Sequence, residues 1–160
     1  MSVLRVVKYW DRAYSSVLRR CAKEACLFRD QQQLQDLLRT AEDMECLGLA
    51  APQVNISLRA FVMCEFLGPY NPLNHAKKLV INPQIVRASK AQGQVEESCL
   101  SIPGQSFLVP REEHIEVQYT TASGYRVTEA IAGLEARVFQ HEFDHLNGIL
   151  LFQRGKVVSP

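Results

Sequence analysis

The sequence predicts an α+β fold, with mostly antiparallel strands packed around a buried C-terminal helix. Three observations lead there. An apolar stripe at helical spacing near Gln31 is followed by short apolar runs bounded by Gly, Pro and Asn, without regular strand–helix alternation. A cleanly alternating segment, His114–Thr120, leads through Ala122-Ser123-Gly124 into a partner strand. A second helical pattern then carries two histidines on a face shared with apolar residues. At 160 residues and 47% hydrophobic content, one domain spanning residues 1–160 is expected, long enough for a real core.

The first helix is expected over residues 31–45. Leu34, Leu37, Leu38, Ala41 and Met44 recur at steps of three and four and make one stripe. Asp30 is its expected N-cap, with Gln33 as the reciprocal partner of a capping box. Residues 58–66 and 79–85 read as strands, and the Gly-, Pro- and Asn-containing stretch 67–78 as a loop. In the strand from His114, Ile115, Val117 and Tyr119 face one way, while His114, Glu116 and Gln118 face the other. Its hairpin partner runs from Tyr125 to about Ile131. The second helix covers residues 133–146, with Leu134, Val138, His141 and His145 on one face, and Asn147-Gly148 stops it.

Composition narrows the function. A net charge of +1 carries no nucleic-acid or anionic-membrane footprint, and no run approaches a transmembrane length. The first ten residues lack the apolar core of a signal peptide. Five cysteines (Cys21, Cys26, Cys46, Cys64, Cys99) are an odd number without scaffold spacing, so they are expected to be mostly reduced. The expected location is cytoplasmic, or organellar after removal of a transit peptide.

His141-Glu142-Phe143-Asp144-His145 carries the chemistry. Two histidines four residues apart share a helix face and can bind one metal ion, with Glu142 placed to act as a base on activated water. Catalytic sites of this kind usually have a third protein ligand. The fifteen residues after His145 contain no Asp, Glu, His or Cys, so the third ligand is sought upstream, unlike the usual metalloprotease layouts. His75 in the expected loop and His114 on the polar side of a strand read as surface histidines. Cys99, at a strand end before Pro103-Gly104, could reach a helix beneath it, but spacing alone does not choose among the cysteines.

Three ordered segments resemble the peptide deformylases. Cys46 to Gln53 (CLGLAAPQ) is similar to that family's G-x-G-[LI]-[AS]-A-x-Q. Glu97 to Ser101 (ESCLS) is similar to E-G-C-L-S. Gln140 to Gly148 (QHEFDHLNG) is similar to Q-H-E-x-D-H-L-x-G. The likeness continues through Leu79 to Pro83 and Ser101 to Pro103, and is weakest over residues 1–30. It implies that Cys99, His141 and His145 hold one divalent metal ion, Fe²⁺ in the cell, with Zn²⁺, Ni²⁺ or Co²⁺ able to substitute. It implies Glu142 as acid and base, and the Gln53 amide and the Leu100 backbone N–H as oxyanion donors. It implies removal of the formyl group from N-formylmethionine of newly made polypeptides, near the ribosome, with release of formate.

These residues suit that reaction. One thiolate and two neutral imidazoles leave a divalent ion with net charge +1, still a Lewis acid. Gly48, with Leu47 beside it, fits a substrate-binding position where backbone comes close to the ligand or takes an unusual φ; a plain helix terminator is the alternative. Asp144 reads either as an ion-pair partner of Arg111 or as a solvated carboxylate, and Arg137 either lines the pocket mouth or faces water. The chain departs from the family at Cys46 and Ser98, each in place of Gly, and at Ser106, where many bacterial members have an Arg that lines the Met pocket. Those departures frame an alternative, a deformylase-like amidohydrolase with altered N-acyl preference. A non-catalytic binding protein on the same fold is disfavoured by the complete residue set.

Overall fold

A computed structural model describes residues 3–66 and 76–159. The described chain is α+β and its sheets are antiparallel throughout, apart from one isolated parallel bridge between Lys23 and Leu58. In order it has helix α1 (Gln31–Glu42), strands β1 (Gly48–Ala50), β2 (Ala60–Cys64), β3 (Lys77–Ala88), β4 (Gln92–Cys99), β5 (Ile102–Glu112), β6 (His114–Thr120) and β7 (Arg126–Ala132), helix α2 (Gly133–Leu146), the single turn α3 (Leu151–Arg154) and strand β8 (Lys156–Ser159). One sheet runs β1-β2-β3-β6-β7 and the other β4-β5-β8.

The larger sheet is buried on both faces near its β1 edge. Ala60 and Val62 of β2, with Leu79 and Ile81 of β3, pack against Leu34, Leu37 and Ala41 of α1. The alternate residues Phe61, Met63 and Val80 pack against Ala136, Val138, Phe139 and Leu146 of α2. Successive side chains on a strand point to opposite faces, so a strand covered twice must be apolar throughout. Phe61 meets Phe139 edge to face at 5.1 Å between ring centroids, an arrangement worth about 0.5–1.5 kcal/mol beyond burial. A third cluster, including Val7, Leu18, Cys99, Phe107 and Val109, lies against the smaller sheet.

Several expectations from sequence change in detail. Helix α1 ends at Glu42 rather than residue 45. The Lys77 ammonium takes the carbonyls of Ala41, Met44 (2.8 Å) and Cys46 (2.9 Å), satisfying acceptors that leave the helix ladder. Asp30 makes no side-chain cap to α1. Its carboxylate instead accepts the Cys26 N–H at 2.7 Å and a two-pronged contact from Arg29, so no capping box forms with Gln33. The strand expected over 58–66 contracts to β2, while β3 runs past residue 85 because its exposed end still pairs with β6. Leu134 is exposed rather than core-facing. The expected loop at 67–78 lies mostly outside the described residues, as does His75.

Helix α2 and β6 have the expected bounds. At the end of α2 the Gly148 N–H reaches the His145 carbonyl at 3.2 Å, and the Ile149 N–H reaches that of Asp144 at 2.9 Å. Gly148 has φ +71°, and a Cβ there would stand 2.6 Å from the Arg19 backbone, so both conformation and space call for glycine. All five cysteines are free.

Candidate active site and metal centre

Strand β4 and helix α2 bring the two halves of the site together. Cys99 ends β4, and His141, Glu142 and His145 lie on α2. The ligand-type atoms of Cys99, His141 and His145 all lie within 4.8 Å of one another. The Cys99 Sγ is 3.4 Å from His145 Nε2, and the two histidine rings meet edge to face. Burial opposes the Cys99 thiolate, yet the charge of His145 and hydrogen bonds from both histidines hold its thiol well below the ordinary value. A soft, buried thiolate with two imidazole nitrogens is a donor set that fits a divalent transition metal. His75 lies outside the described residues, and His114 is exposed on β6.

His141 is fixed by a carboxylate. Its Nδ1 is 2.9 Å from Glu97 Oε2, which leaves Nε2 for the Cys99 side. Burial disfavours the His141 cation, but hydrogen bonds to Cys99 and Glu97 push its pKa up to about 10. Burial likewise opposes the Glu97 anion, and hydrogen bonds from His141 and Arg111 outweigh it, bringing its pKa to about 2. Arg111 grips Glu97 through Nε and Nη2, both at 3.0 Å, and reaches Asp144 at 2.6 Å through Nη1. Arg137 donates to Glu97 at 2.7 Å and to the carbonyls of Val109 and Gly93. Arg154 takes the other side of Asp144. Asp144 is therefore an ion-pair partner of Arg111, and Arg137 is bound within the wall of the cavity rather than facing water.

Glu142 is 4% exposed, and its Oε2 has no hydrogen-bond partner among the described residues. Burial pushes its pKa up. Gly48 lies against it, because a Cβ there would stand 2.5 Å from Glu142 Oε1. Gly48 begins β1, so it neither ends a helix nor takes a left-handed φ; it makes room for Glu142.

Gln53 sits in a 3-10 turn, Ala51–Val54, directly after β1. Its Oε1 accepts the Ala50 N–H at 2.8 Å, which turns Nε2 toward Cys99 Sγ (3.6 Å) and Ser101 Oγ (3.3 Å). A cavity of about 580 Å³ unites these residues; Leu47, Gly48, Gln53, Cys99, Leu100, His141 and Glu142 all line it. Strands β1 and β4, each an edge strand of its sheet, both contribute residues to the cavity wall. Cys46 and Ser98 line the cavity too, whereas Ser106 pairs across from Ser98 on β5 and is not among the lining residues described. Burial pushes the Cys46 thiol up, so it stays neutral there.

The sequence reading passed over Glu97 as a positioning group. Strand parity carries the missing signal: Glu97 is two residues before Cys99 on one strand and so shares its face. Arg154 had no such periodic signal.

An antiparallel α+β fold, with a cysteine and two histidines converging beside a buried carboxylate on a cavity, is an arrangement suited to metal-assisted hydrolysis. The model of the polypeptide deformylase family matches residues 3–159. A peptide deformylase of Thermotoga petrophila is 41% identical over 146 residues, covering 90% of this chain and 82% of the relative. The crystal structure of the Thermotoga maritima peptide deformylase has a TM-score of 0.82 at 36% identity and covers 100% of both chains. The Met-Ala-Ser-bound peptide deformylase of Acinetobacter baumannii has a TM-score of 0.80 at 32% identity, covering 96% of this chain and 98% of that one. The chain belongs to the peptide deformylase family.

Proposed function

We propose that this protein hydrolyses the formyl group from N-formylmethionyl peptides, with Cys99, His141 and His145 holding one divalent metal ion. The convergence of those three side chains beside the unpartnered Glu142 carboxylate carries the reading. Fe²⁺ is the proposed ion, with Zn²⁺, Ni²⁺ or Co²⁺ as substitutes, because one thiolate and two imidazoles accept any of them. A bound divalent ion supplies Lewis acidity that makes water nucleophilic near neutral pH and polarises the formyl oxygen.

The remaining steps belong to the chain's own side chains. Glu142 Oε2 takes the proton from the attacking water as its oxygen bonds to the formyl carbon. Gln53 Nε2–H and the Leu100 N–H donate to the oxygen on which negative charge develops. When the C–N bond breaks, Glu142 returns the proton to the leaving nitrogen, giving formate and a free N-terminal amine. Its raised pKa suits the return step. An extended peptide fits between the free edges of β1 and β4, where backbone groups remain available for pairing. Leu47 and Gly48 then line its path, and Val138 contributes apolar wall for a methionine side chain.

We place the whole chain, residues 1–160, in a single catalytic domain acting on nascent chains near the ribosome, in the cytoplasm or an organelle. No described helix is long and apolar enough to cross a membrane. Cys46 and Ser98 line the cavity and favour a test of acyl preference. A panel of formyl-Met, formyl-X and acetyl-Met peptides, assayed with the Fe²⁺ form, decides it. Preference for formyl-Met supports the reading, and preference for an acetyl or non-Met substrate replaces it with the amidohydrolase of altered specificity.

A further inference from the structure

The segment Val6 to Tyr9 lies against the turns that carry Gln53 and Leu100, and the proposed reaction leaves it without a part. Successive side chains enter different cores. Val6 packs with Leu49, Ala51 and Val54, while Val7 packs with Cys99, Ile102 and Phe107. Three consecutive residues then bind the two elements that carry the oxyanion donors. The Val7 N–H donates to the Gln53 carbonyl at 2.7 Å, the Lys8 Nζ to the Leu100 carbonyl at 2.6 Å, and the Tyr9 N–H to the Ser101 carbonyl at 2.9 Å. Among the described residues the cavity is lined by one lysine and one arginine, Lys8 and Arg137, together with His141 and the carboxylates of Glu45, Glu96, Glu97 and Glu142. Arg137 is committed to Glu97. Among the described residues no carboxylate lies within ion-pair distance of Lys8, so its charge is spent on the Leu100 carbonyl and on the cavity.

We infer that Lys8 is a positioning residue for the oxyanion site: its ammonium holds the turn that bears the Leu100 N–H against the Gln53 amide, and it adds positive potential where the oxyanion forms. The inference rests on the deformylase reading of Gln53 and Leu100. A donor that is misplaced rather than removed costs less than the roughly 10²–10³-fold loss of a deleted one, so a loss of about tenfold is expected. Because ground-state peptide carries no oxyanion, the loss belongs in kcat rather than KM.

The test compares wild type, Lys8→Met, Lys8→Arg, Gln53→Ala and the Lys8→Met/Gln53→Ala double variant as metal-loaded enzymes on formyl-Met-Ala-Ser. The expected results are a kcat about tenfold lower in Lys8→Met with KM within about twofold, recovery in Lys8→Arg, and a double variant that loses less than the product of the single losses. The d–d spectrum of the Co²⁺-loaded variants should match wild type. Wild-type kcat in Lys8→Met, strictly multiplicative losses, or a changed Co²⁺ spectrum would each overturn the inference. A wild-type enzyme that releases no formate from any formyl peptide would instead sink the deformylase reading on which it rests.

Discussion

Replacing Gly48 with alanine should disable the enzyme without unfolding it. The added Cβ would lie 2.5 Å from Glu142 Oε1 and 2.8 Å from both Cδ and Cγ. Nonbonded contact at a carbon normally begins near about 3.5 Å, so the carboxylate must retreat by about 1 Å. It can do so at small cost, because the obstructing atoms end a flexible side chain on the cavity wall. A displacement of about 1 Å in a reacting group costs on the order of 10²-fold, so kcat should fall about 100-fold. Stability should hold or rise, since alanine at a compatible φ typically adds about 0.4–1 kcal/mol through the unfolded chain. The assay is formate release from formyl-Met-Ala-Ser, beside a thermal melt and a metal determination. Wild-type kcat would refute the reasoning. So would a loss of rate accompanied by loss of metal or of fold, because displacement of the carboxylate alone leaves both intact.

Two further substitutions probe the charge network behind the site. Glu97→Gln removes the carboxylate that His141, Arg111 and Arg137 share. Zn²⁺ affinity should fall about 10–100-fold in a competitive chelator titration, the usual effect of losing the group that orients a ligating histidine, and unchanged affinity would contradict it. Arg111→Met strips the main cation from Glu97 and Asp144, both buried. A broken buried pair costs about 3–5 kcal/mol, read as a lower urea midpoint at constant slope, and a shift below about 1 kcal/mol would mean that Arg137 and Arg154 carry the network alone.

What could be read in advance followed burial and local spacing. Strand β6 was legible because its burial alternates residue by residue, and helix α2 because its sequence repeats at helical spacing up to the Asn147-Gly148 stop, although the folded helix is buried on more than one face. Strand β4 was not, because along Gln92 to Ser98 only Glu97 is buried, and an edge strand in water has no apolar alternation to betray it. The histidine pair announced a metal site through helical spacing, whereas Cys99 rested on a resemblance, since no local period links a strand end to a helix forty residues on. A longer separation hid Lys8, whose partner Leu100 lies 92 residues away and is brought to it only by the fold. The N-cap expected at Asp30 failed because Arg29 and the Cys26 N–H offered its carboxylate closer partners.

The central claim is that a metal held by Cys99, His141 and His145 works with Glu142 to release formate. The direct measurement is formate production from formyl-Met-Ala-Ser by the Fe²⁺-loaded protein and by Glu142→Gln, each with its metal content determined. Turnover by the wild type is expected, with an equally metal-loaded variant slower by about 10²–10⁴-fold, the range for a lost general base. Formate release by Glu142→Gln at the wild-type rate, or none from the Fe²⁺-loaded wild type, would contradict it.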